Sequence, residues 1–353
     1  MALRSAASKL LNEGSGTAGL MLQHSRAGSA FSNGIRVNNR PGDGAIRNEN
    51  PPKIAIGPNE NVYVIWANER ERWKGNIRFA RSIDAGNTFE PAINLNSGAG
   101  EQPIGRAFES IVVDARGRVF VAWIDERNKK ANDRSAEIWL AISEDGGKTF
   151  SADRRIVSNV CECCRTALAV DSTGKIYLSY RTVPSTGPML RDIAVARSDD
   201  GGKTFKPTIV NRDGWELNAC PIAGATMTID AADRVHVVWF TQTADAPRLY
   251  IASSADHGSS FSKPTVFDTT QKLAKHAHAV AISGDRVLIA WDDLNGGSFV
   301  KWGVFNTSTK SMDVTGTHAE ASYPVIAMSG QSMALVAVQP NQVFRTIEKA
   351  RSR

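Results

Sequence analysis

The stretch Ser143-Glu144-Asp145-Gly146-Gly147-Lys148-Thr149-Phe150 decides the fold, because its pattern occurs four times along the chain. Each copy has a serine, an aspartate two residues later, a glycine two beyond that, and then threonine or serine followed by phenylalanine. Successive aspartates are 61, 55 and 56 residues apart, and this near-constant interval indicates a repeated structural unit. The four aspartates are Asp84, Asp145, Asp200 and Asp256.

The residue types in each copy predict a tight turn between two strands. The aspartate can accept backbone N–H groups inside the turn, the glycine can adopt a positive φ, and the phenylalanine can pack beneath. Asp-x-Gly between short apolar runs is typical of a hairpin. We interpret the four aspartates as structural, because an acid repeated at equivalent turns has the same role in each.

A second repeat is an alternating strand that ends in an aromatic residue. Another strand and a short turn precede each copy, and a further strand leads on into the aspartate turn. Four strands per unit and six units predict an all-β fold, a six-bladed β-propeller with four-stranded antiparallel blades. The copies are residues 62–66, 119–123, 176–180, 235–239 and 287–291, with a degenerate sixth at 333–337.

The composition of the 353-residue chain, 42% apolar and 22% charged with four cysteines, excludes a disordered, collagen-like or disulfide-scaffold protein. We expect the propeller over residues 43–343, after a poorly ordered leader at 1–42 and before a basic tail at 344–353. The two ends hold the positive charge, with +4 over 1–40 and +3 over 344–353, against +6 for the whole chain. The body is therefore nearly neutral.

This distribution of charge indicates which classes of partner to expect. A nucleic-acid binder carries its positive charge on a folded face, so we do not expect nucleic-acid binding.

The sequence has no run of 18 apolar residues and therefore predicts no transmembrane helix. It also has no nucleotide-binding glycine fingerprint, no His-Glu-x-x-His motif and no serine-nucleophile elbow. We expect a monomer, in the periplasm or outside the cell.

The Ser-x-Asp-x-Gly-x-Thr-Phe pattern is identified as the Asp box, and the chain resembles the Asp-box (BNR repeat) sialidase superfamily, whose fold is a six-bladed propeller. This resemblance implies chemistry on the face opposite the Asp boxes. It implies that the protein is a candidate exo-glycosidase that acts on sialylated or other anionic glycans. Such an enzyme needs cations that bind the sugar carboxylate and a tyrosine nucleophile that is supported by a carboxylate. The alternative is a non-catalytic propeller that binds a glycan, a metal or a protein through the same face.

The resemblance also suggests individual roles on that face. Tyr323 is the candidate nucleophile, supported by Glu320, and Asp125 or Glu69 is the candidate acid/base. Lys53 stands where the family has its first arginine. The candidate binding residues for an anionic sugar are Lys53, Arg165, Arg181 and Arg127. Other polar residues expected on this face, including Glu109, Asp292 and Asp293, are interpreted as a polar rim.

The cysteines form an unusual local cluster. Cys161-Glu-Cys163-Cys164-Arg165 and Cys220-Pro221 are expected on the same face as His276 and His278, and they resemble a branch of Asp-box proteins with a Cys-x-Cys-Cys-Arg segment. Thiolate and imidazole ligands predict a zinc or copper site. Two disulfides in an exported protein are the alternative, and free thiols are a third possibility.

Overall fold

The computed structural model describes residues 4–12, 18–26, 32–44, 49–71, 73–98, 104–130, 133, 135–242, 247–268, 274–294, 296–329, 332–339 and 342–349. In these residues the regular structure is β-strand, apart from one short 3-10 turn at Pro58–Glu60. The described part contains no helix that is long and apolar enough to span a membrane. The chain divides into two compact units, Met1–Glu162 and Cys163–Arg353.

In its described residues the first unit contains three antiparallel sheets, and neighbouring strands of each sheet are consecutive in the chain. The first sheet is β1 (Arg4–Asn12), β2 (Ala18–Arg26) and β3 (Ile35–Arg36). The second is β4 (Lys53–Ile56), β5 (Val62–Glu71), β6 (Lys74–Ser82) and β7 (Ile93–Asn94). The third is β8 (Arg106–Val113), β9 (Val119–Asp125), β10 (Ala136–Ser143) and β11 (Arg154–Val160).

The described part of the second unit contains four further antiparallel sheets built in the same way. They are β12 (Ala167–Val170), β13 (Ile176–Arg181), β14 (Ile193–Ser198) and β15 (Lys206–Asn211); β16 (Thr226–Ile229), β17 (Val235–Gln242), β18 (Pro247–Ser254) and β19 (Thr265–Asp268); β20 (Ala274–Ser283), β21 (Arg286–Asp293), β22 (Phe299–Asn306) and β23 (Ser311–Ala319); and β24 (Ser322–Ser329), β25 (Ser332–Gln339) and β26 (Gln342–Lys349). The prediction of an all-β fold with four-stranded antiparallel sheets is confirmed.

The core follows the alternating strands that the sequence predicted. The tryptophans that end these strands, Trp66, Trp123, Trp239 and Trp291, are among the largest fully buried side chains. Each packs with neighbouring strands of its own unit, as Trp123 does with Tyr63 and Ile65. Burial of large aromatic surface between consecutive sheets therefore supplies much of the hydrophobic stabilisation within each unit.

Residues 1–42, for which the sequence predicted a leader, contain three paired strands. Strands β1, β2 and β3 pair there, and Leu20 and Leu22 are fully buried against Val62 and Val64 of β5. The physical reason is the period of two in Leu20-Met21-Leu22, which places both leucines on one face of a strand. Residues 344–349, which were expected to belong to a basic tail, lie in β26, and β26 pairs with β25 from Gln342 to Lys349.

The aspartate turns are closed by a dense set of local hydrogen bonds. At the first turn, Asp84 Oδ1 accepts the Thr88 N–H at 2.9 Å, and Asp84 Oδ2 accepts the Thr88 hydroxyl at 2.6 Å. The Ser82 hydroxyl donates to Asp84 Oδ1 at 2.6 Å and accepts the Gly86 N–H at 2.8 Å. The same contacts recur at Asp145, Asp200 and Asp256. These contacts support the structural interpretation of the aspartates.

The hydrogen bonds to Asp84 predict a pH-dependent stability. Donation from Ser82 and Thr88 lowers the pKa of Asp84 to about 2. Because the folded-state pKa is lowered, Asp84 stabilises the fold above about pH 4, and this contribution disappears as the pH falls through about 2. We expect Asp84→Ala to lower the Tm at pH 7 and to have a smaller effect near pH 2, measured by circular dichroism.

The exposed Asp313 on β23 provides a control for this experiment. Asp313→Ala should leave the Tm unchanged at both pH values. An Asp84→Ala effect of the same size at pH 7 and pH 2 would contradict the prediction.

Candidate functional site

Among the strands that the structure describes, the first strand of three different sheets carries the same irregularity. In β8, β20 and β24 the pairing with the next strand shifts so that one residue is inserted. At each bulge one residue other than glycine adopts a positive φ. These residues are Phe108 (55°), His276 (49°) and Tyr323 (54°). A bulge redirects side chains, and unfavourable backbone angles persist where the surrounding structure holds them, so the three bulges mark candidate functional positions.

Two of the bulges meet in the second unit. The Tyr323 N–H donates to Asp292 Oδ1 at 2.7 Å, and His276 Nδ1 lies 2.5 Å from Asp292 Oδ2. The rings of His276 and Tyr323 stack with their centroids 4.3 Å apart at 29°. Asp292, near the end of β21, therefore binds the backbone of one bulge and the side chain of the other.

The hydrogen bond with Asp292 orients the imidazole of His276. Asp292 is buried, and burial raises the pKa of its carboxyl, whereas the hydrogen bond with His276 and the charges of His276 and Arg165 act in the opposite direction. A carboxylate at Nδ1 places the proton of neutral His276 on that nitrogen, so Nε2 is the basic nitrogen. We call Tyr323, His276, Asp292 and Arg165 the Tyr323 cluster.

Arg165 completes the cluster with a positive charge. Its guanidinium carbon lies 5.3 Å from the centroid of the Tyr323 ring. A guanidinium can bind a carboxylate with two hydrogen bonds. The structure thus brings together two sequence-predicted residues, Tyr323 and Arg165.

The other residues predicted around Tyr323 have different surroundings. Glu320 is exposed in the turn before β24, whereas the contacts of Tyr323 include His276, Asp292 and Arg165. His278 Nδ1 accepts the Ile326 N–H at 3.4 Å. The bulge interrupts the alternation of β20, so the two histidines have different partners instead of forming one matched pair of ligands.

Arg181, which the sequence suggested for substrate binding, contacts backbone carbonyls in the structure. Its side chain is fully buried. Nε donates to the Ala223 carbonyl at 3.0 Å and a terminal nitrogen donates to the Phe240 carbonyl at 2.6 Å. Burial lowers the pKa of Arg181 to about 10. Because its donors satisfy buried backbone carbonyls, this guanidinium holds neighbouring chain segments together.

In the first unit, Asp125 and Arg127 also have structural partners. Asp125 is fully buried and accepts hydrogen bonds from Trp123 Nε1 at 2.9 Å, Arg106 Nε at 3.0 Å and Arg127 at 2.6 Å. Burial would raise the pKa of Asp125, but the Arg127 and Trp123 hydrogen bonds hold it below its usual value. Asp125 therefore stays ionised and is poorly suited to donate a proton. Arg127 also pairs with Asp153 at 2.6 Å.

Glu69 and Lys53 lie near a buried acid. Glu69 Oε2 accepts the Trp73 N–H at 3.1 Å, and Lys53 Nζ donates to the Pro51 carbonyl. The charges of both residues act on Glu109, which is fully buried in the bulge of β8. Burial raises the pKa of Glu109, and the nearby Lys53 partly offsets that shift.

The cysteines are oxidised in the structure. Cys163 and Cys220 form a disulfide with their Cα atoms 6.1 Å apart, and none of the four cysteines, all in the described residues, is a free thiol. In the structure the cysteines thus form disulfides, which is one of the three alternatives given above for them. Disulfide sulfurs are not thiolates, so the cysteines offer no thiolate ligand in this state.

From the sequence, Asp292 and Glu109 were interpreted as part of a polar rim with no further role. The signal for Asp292 was present, because two acids follow directly after the aromatic strand 287–291. The sequence contained no comparable signal for Glu109, because the position of Glu109 depends on an inserted residue that changes the register of β8.

The model of the BNR repeat-like domain matches residues 14–336 of the chain. This protein belongs to the BNR repeat-like domain family. The matched range includes strands of both units and part of the segment that was expected to be a leader. No curated protein matches the BNR repeat-like chain.

Solved structures show the fold of this BNR repeat-like protein. A mutant of the NanB sialidase from Streptococcus pneumoniae is similar with a TM-score of 0.61 and 12% identity, over 88% of this chain and 68% of that one. An ulvan lyase bound to a glucuronate-containing disaccharide has a TM-score of 0.64 at 10% identity, over 98% and 90%. An α-L-arabinanase from Penicillium chrysogenum has a TM-score of 0.58 at 13% identity, over 85% and 93%. At these identities the likeness shows a β-propeller fold alone.

Proposed function

We propose that this BNR repeat-like protein is a six-bladed propeller enzyme that acts on a carboxylate-bearing glycan at the Tyr323 cluster. The six sheets that begin with β4, β8, β12, β16, β20 and β24 would be the blades. The observation that carries the proposal is the stack of His276 on Tyr323 at 4.3 Å, with Asp292 bound to both residues. A reactive hydroxyl, a base and a group that orients the base are the parts of an activated nucleophile.

The reaction that we favour is hydrolysis of the bond to an anionic sugar. Arg165 binds the sugar carboxylate, and the oxygen of Tyr323 forms a bond to the anomeric carbon as the glycosidic bond breaks. His276, oriented by Asp292, takes the proton of the Tyr323 hydroxyl and gives a proton to the leaving oxygen. In the second step His276 takes a proton from the water that attacks the anomeric carbon and returns a proton to the Tyr323 oxygen as the sugar is released. The recognition of an anionic glycan agrees with the glycan-active enzymes that share the fold.

A second candidate reaction is β-elimination from a uronate sugar. Most glycosidases use two available carboxylates, whereas Asp292 is buried and bound to His276 and to the Tyr323 amide. In elimination, Arg165 would neutralise the uronate carboxylate, His276 would remove the adjacent proton, and Tyr323 would protonate the leaving oxygen. This reaction needs no second carboxylate.

One assay distinguishes these reactions. The purified protein is incubated with sialyllactose, an aryl sialoside and ulvan, and its products are followed as released sugar and as ultraviolet absorption of unsaturated uronate. Released sugar without the absorption supports hydrolysis, and the absorption supports elimination. Binding without turnover of any substrate would instead favour the non-catalytic propeller and overturn the proposal.

The role of Asp292 is tested by a substitution that preserves its shape. We expect Asp292→Asn to lower kcat about a hundredfold with little change in KM, because an asparagine amide at Nδ1 favours the wrong tautomer of His276. The neighbouring Asp293, which pairs with Lys301, is the matched control, and Asp293→Asn should retain kcat. Equal loss in the two variants would contradict an orienting role for Asp292.

The zinc or copper site is a separate hypothesis, for the reduced protein. Its ligands would come from Cys161, Cys163, Cys164, Cys220, His276 and His278. His276 already binds Asp292 through Nδ1, so it could offer Nε2 to a metal. Metal analysis before and after reduction would test this hypothesis.

A further inference from the structure

Arg165 is held by two contacts with the segment 220–224 of the same unit. The disulfide between Cys163 and Cys220 joins positions that are 57 residues apart in the chain, both in the second unit. Gly224 packs directly on the Arg165 backbone, because a Cβ atom added at Gly224 would overlap the Arg165 carbonyl group and lie 2.8 Å from its nitrogen. One contact is covalent and the other steric, and both lie within two residues of the guanidinium-bearing position.

The segment 220–224 is itself fixed at both ends. Arg181 Nε donates to the Ala223 carbonyl at 3.0 Å. Ile222 has a φ of 49°, which is unfavourable for a β-branched residue and persists only where surrounding contacts hold the backbone. The disulfide lies two residues before Ile222 and the Arg181 hydrogen bond one residue after it. Cleavage of the disulfide therefore removes one of the contacts that keep the segment in this conformation.

The disulfide is open to thiols in solution. Cys220 is exposed, whereas Cys164, which is also disulfide-bonded, is buried. A thiolate of a dithiol can attack the Cys220 sulfur while Cys163 leaves as a thiolate, and the second thiol of the reductant then releases Cys220. Two electrons and two protons pass to the protein, and the reductant becomes a disulfide. Exposed disulfides are the more readily reduced ones and are those with regulatory roles.

We propose that the Cys163–Cys220 disulfide is a redox switch that sets the position of Arg165, with Gly224 as a positioning residue. In the oxidised protein the tether holds the guanidinium carbon 5.3 Å from the centroid of the Tyr323 ring, where the guanidinium binds the sugar carboxylate. Reduction by a dithiol releases the segment, and the carboxylate site is lost. The effect on catalysis rests on the proposed function of the Tyr323 cluster, whereas the effect on Arg165 does not.

The first measurement needs no substrate. Hydrogen-exchange mass spectrometry compares the oxidised full chain with the same protein reduced by dithiothreitol. The backbone amides of residues 165–168 should exchange at least about tenfold faster after reduction, those of the aspartate turn 254–261 should be unchanged, and oxidised glutathione should restore the slow exchange. The Cys163→Ser/Cys220→Ser double variant should show the fast exchange at 165–168 without any reductant, and dithiothreitol should have no further effect on it.

The second measurement uses the carboxylate-bearing glycan that the protein turns over. Reduction should raise KM at least about tenfold and leave kcat within about threefold, because Arg165 contributes to binding of the carboxylate. In Arg165→Ala, KM should be equally high in both redox states, which a general loss of fold on reduction would not produce. Gly224→Ala should raise KM in the oxidised protein, whereas Gly187→Ala, where an added Cβ meets no atom within 4 Å, should not.

The outcomes separate this proposal from the proposed function. Equal exchange at residues 165–168 before and after reduction overturns the switch, as does an unchanged KM on reduction in a protein with turnover. A dithiothreitol effect that persists in the double variant assigns the change to the other cysteines and also overturns it. Faster exchange on reduction, in a protein that acts on no carboxylate-bearing glycan, supports the tether of Arg165 and overturns the proposed function alone.

Discussion

Tyr323→Phe is expected to lower kcat on a carboxylate-bearing glycan about a thousandfold or more, with little change in KM or fold. The change removes only the phenolic oxygen. The stack with His276 involves the ring, and the bond to Asp292 involves the backbone, so both contacts remain possible for phenylalanine. The loss therefore reports on the reacting oxygen, and steady-state kinetics with the best substrate of the assay measures it.

Tyr250→Phe is the matched control for this variant. Tyr250 lies in the same unit, is half-buried, and stacks on Trp239 at a centroid distance of 5.8 Å. We expect it to retain the original kcat and Tm. If Tyr323→Phe keeps more than about a tenth of the activity, Tyr323 is not the reacting group that either proposed reaction requires.

The largest expected effect on stability is that of Asp125→Ala, which should lower the free energy of unfolding by about 3–5 kcal/mol. The substitution leaves the buried Arg106, itself only 2% exposed, without its carboxylate, and it removes the acceptor for Trp123 Nε1. A buried charge without its partner is costly because it has lost its hydration. Equilibrium unfolding in urea, followed by tryptophan fluorescence, measures the change.

An exposed ion pair provides the comparison. Asp199 pairs with Arg197 at 3.0 Å but is partly solvated, and Asp199→Ala should cost less than about 1 kcal/mol. The pKa of Asp125 is lowered in the fold, so its contribution should be present above about pH 4 and should be lost as the pH falls below that value. Similar losses for both variants, or a loss at Asp125 that is independent of pH, would contradict this account.

The parts of the structure that sequence analysis predicted depend on short-range interactions. The bonds from Thr88 to Asp84 span four residues, so the residues of one turn are enough to predict it. The buried strands ending at Trp123 and Trp291 follow from an alternation that any strand imposes on its side chains. Four repeats of the turn at one interval then predicted the all-β fold.

The candidate site was predicted only in part. Tyr323 and Arg165 followed from a family resemblance, and the structure places them together. Arg181 was a reasonable candidate from its position at the end of a strand, but the backbone carbonyls that it binds belong to residues 42 and 59 positions away. No local pattern reveals such partners, because they are created by the packing of neighbouring sheets.

The amino-acid sequence thus determined the turns, the strand period and the repeated sheets, because each depends on contacts within a few residues or on one repeat interval. The tertiary structure decided which polar residues became functional candidates. Inserted residues in β8, β20 and β24 redirect Glu109, His276 and Tyr323, and an insertion is defined only against the strand with which it pairs. The surroundings of the two buried acids also differ. Asp125 is held ionised by two arginines, whereas burial raises the pKa of Glu109.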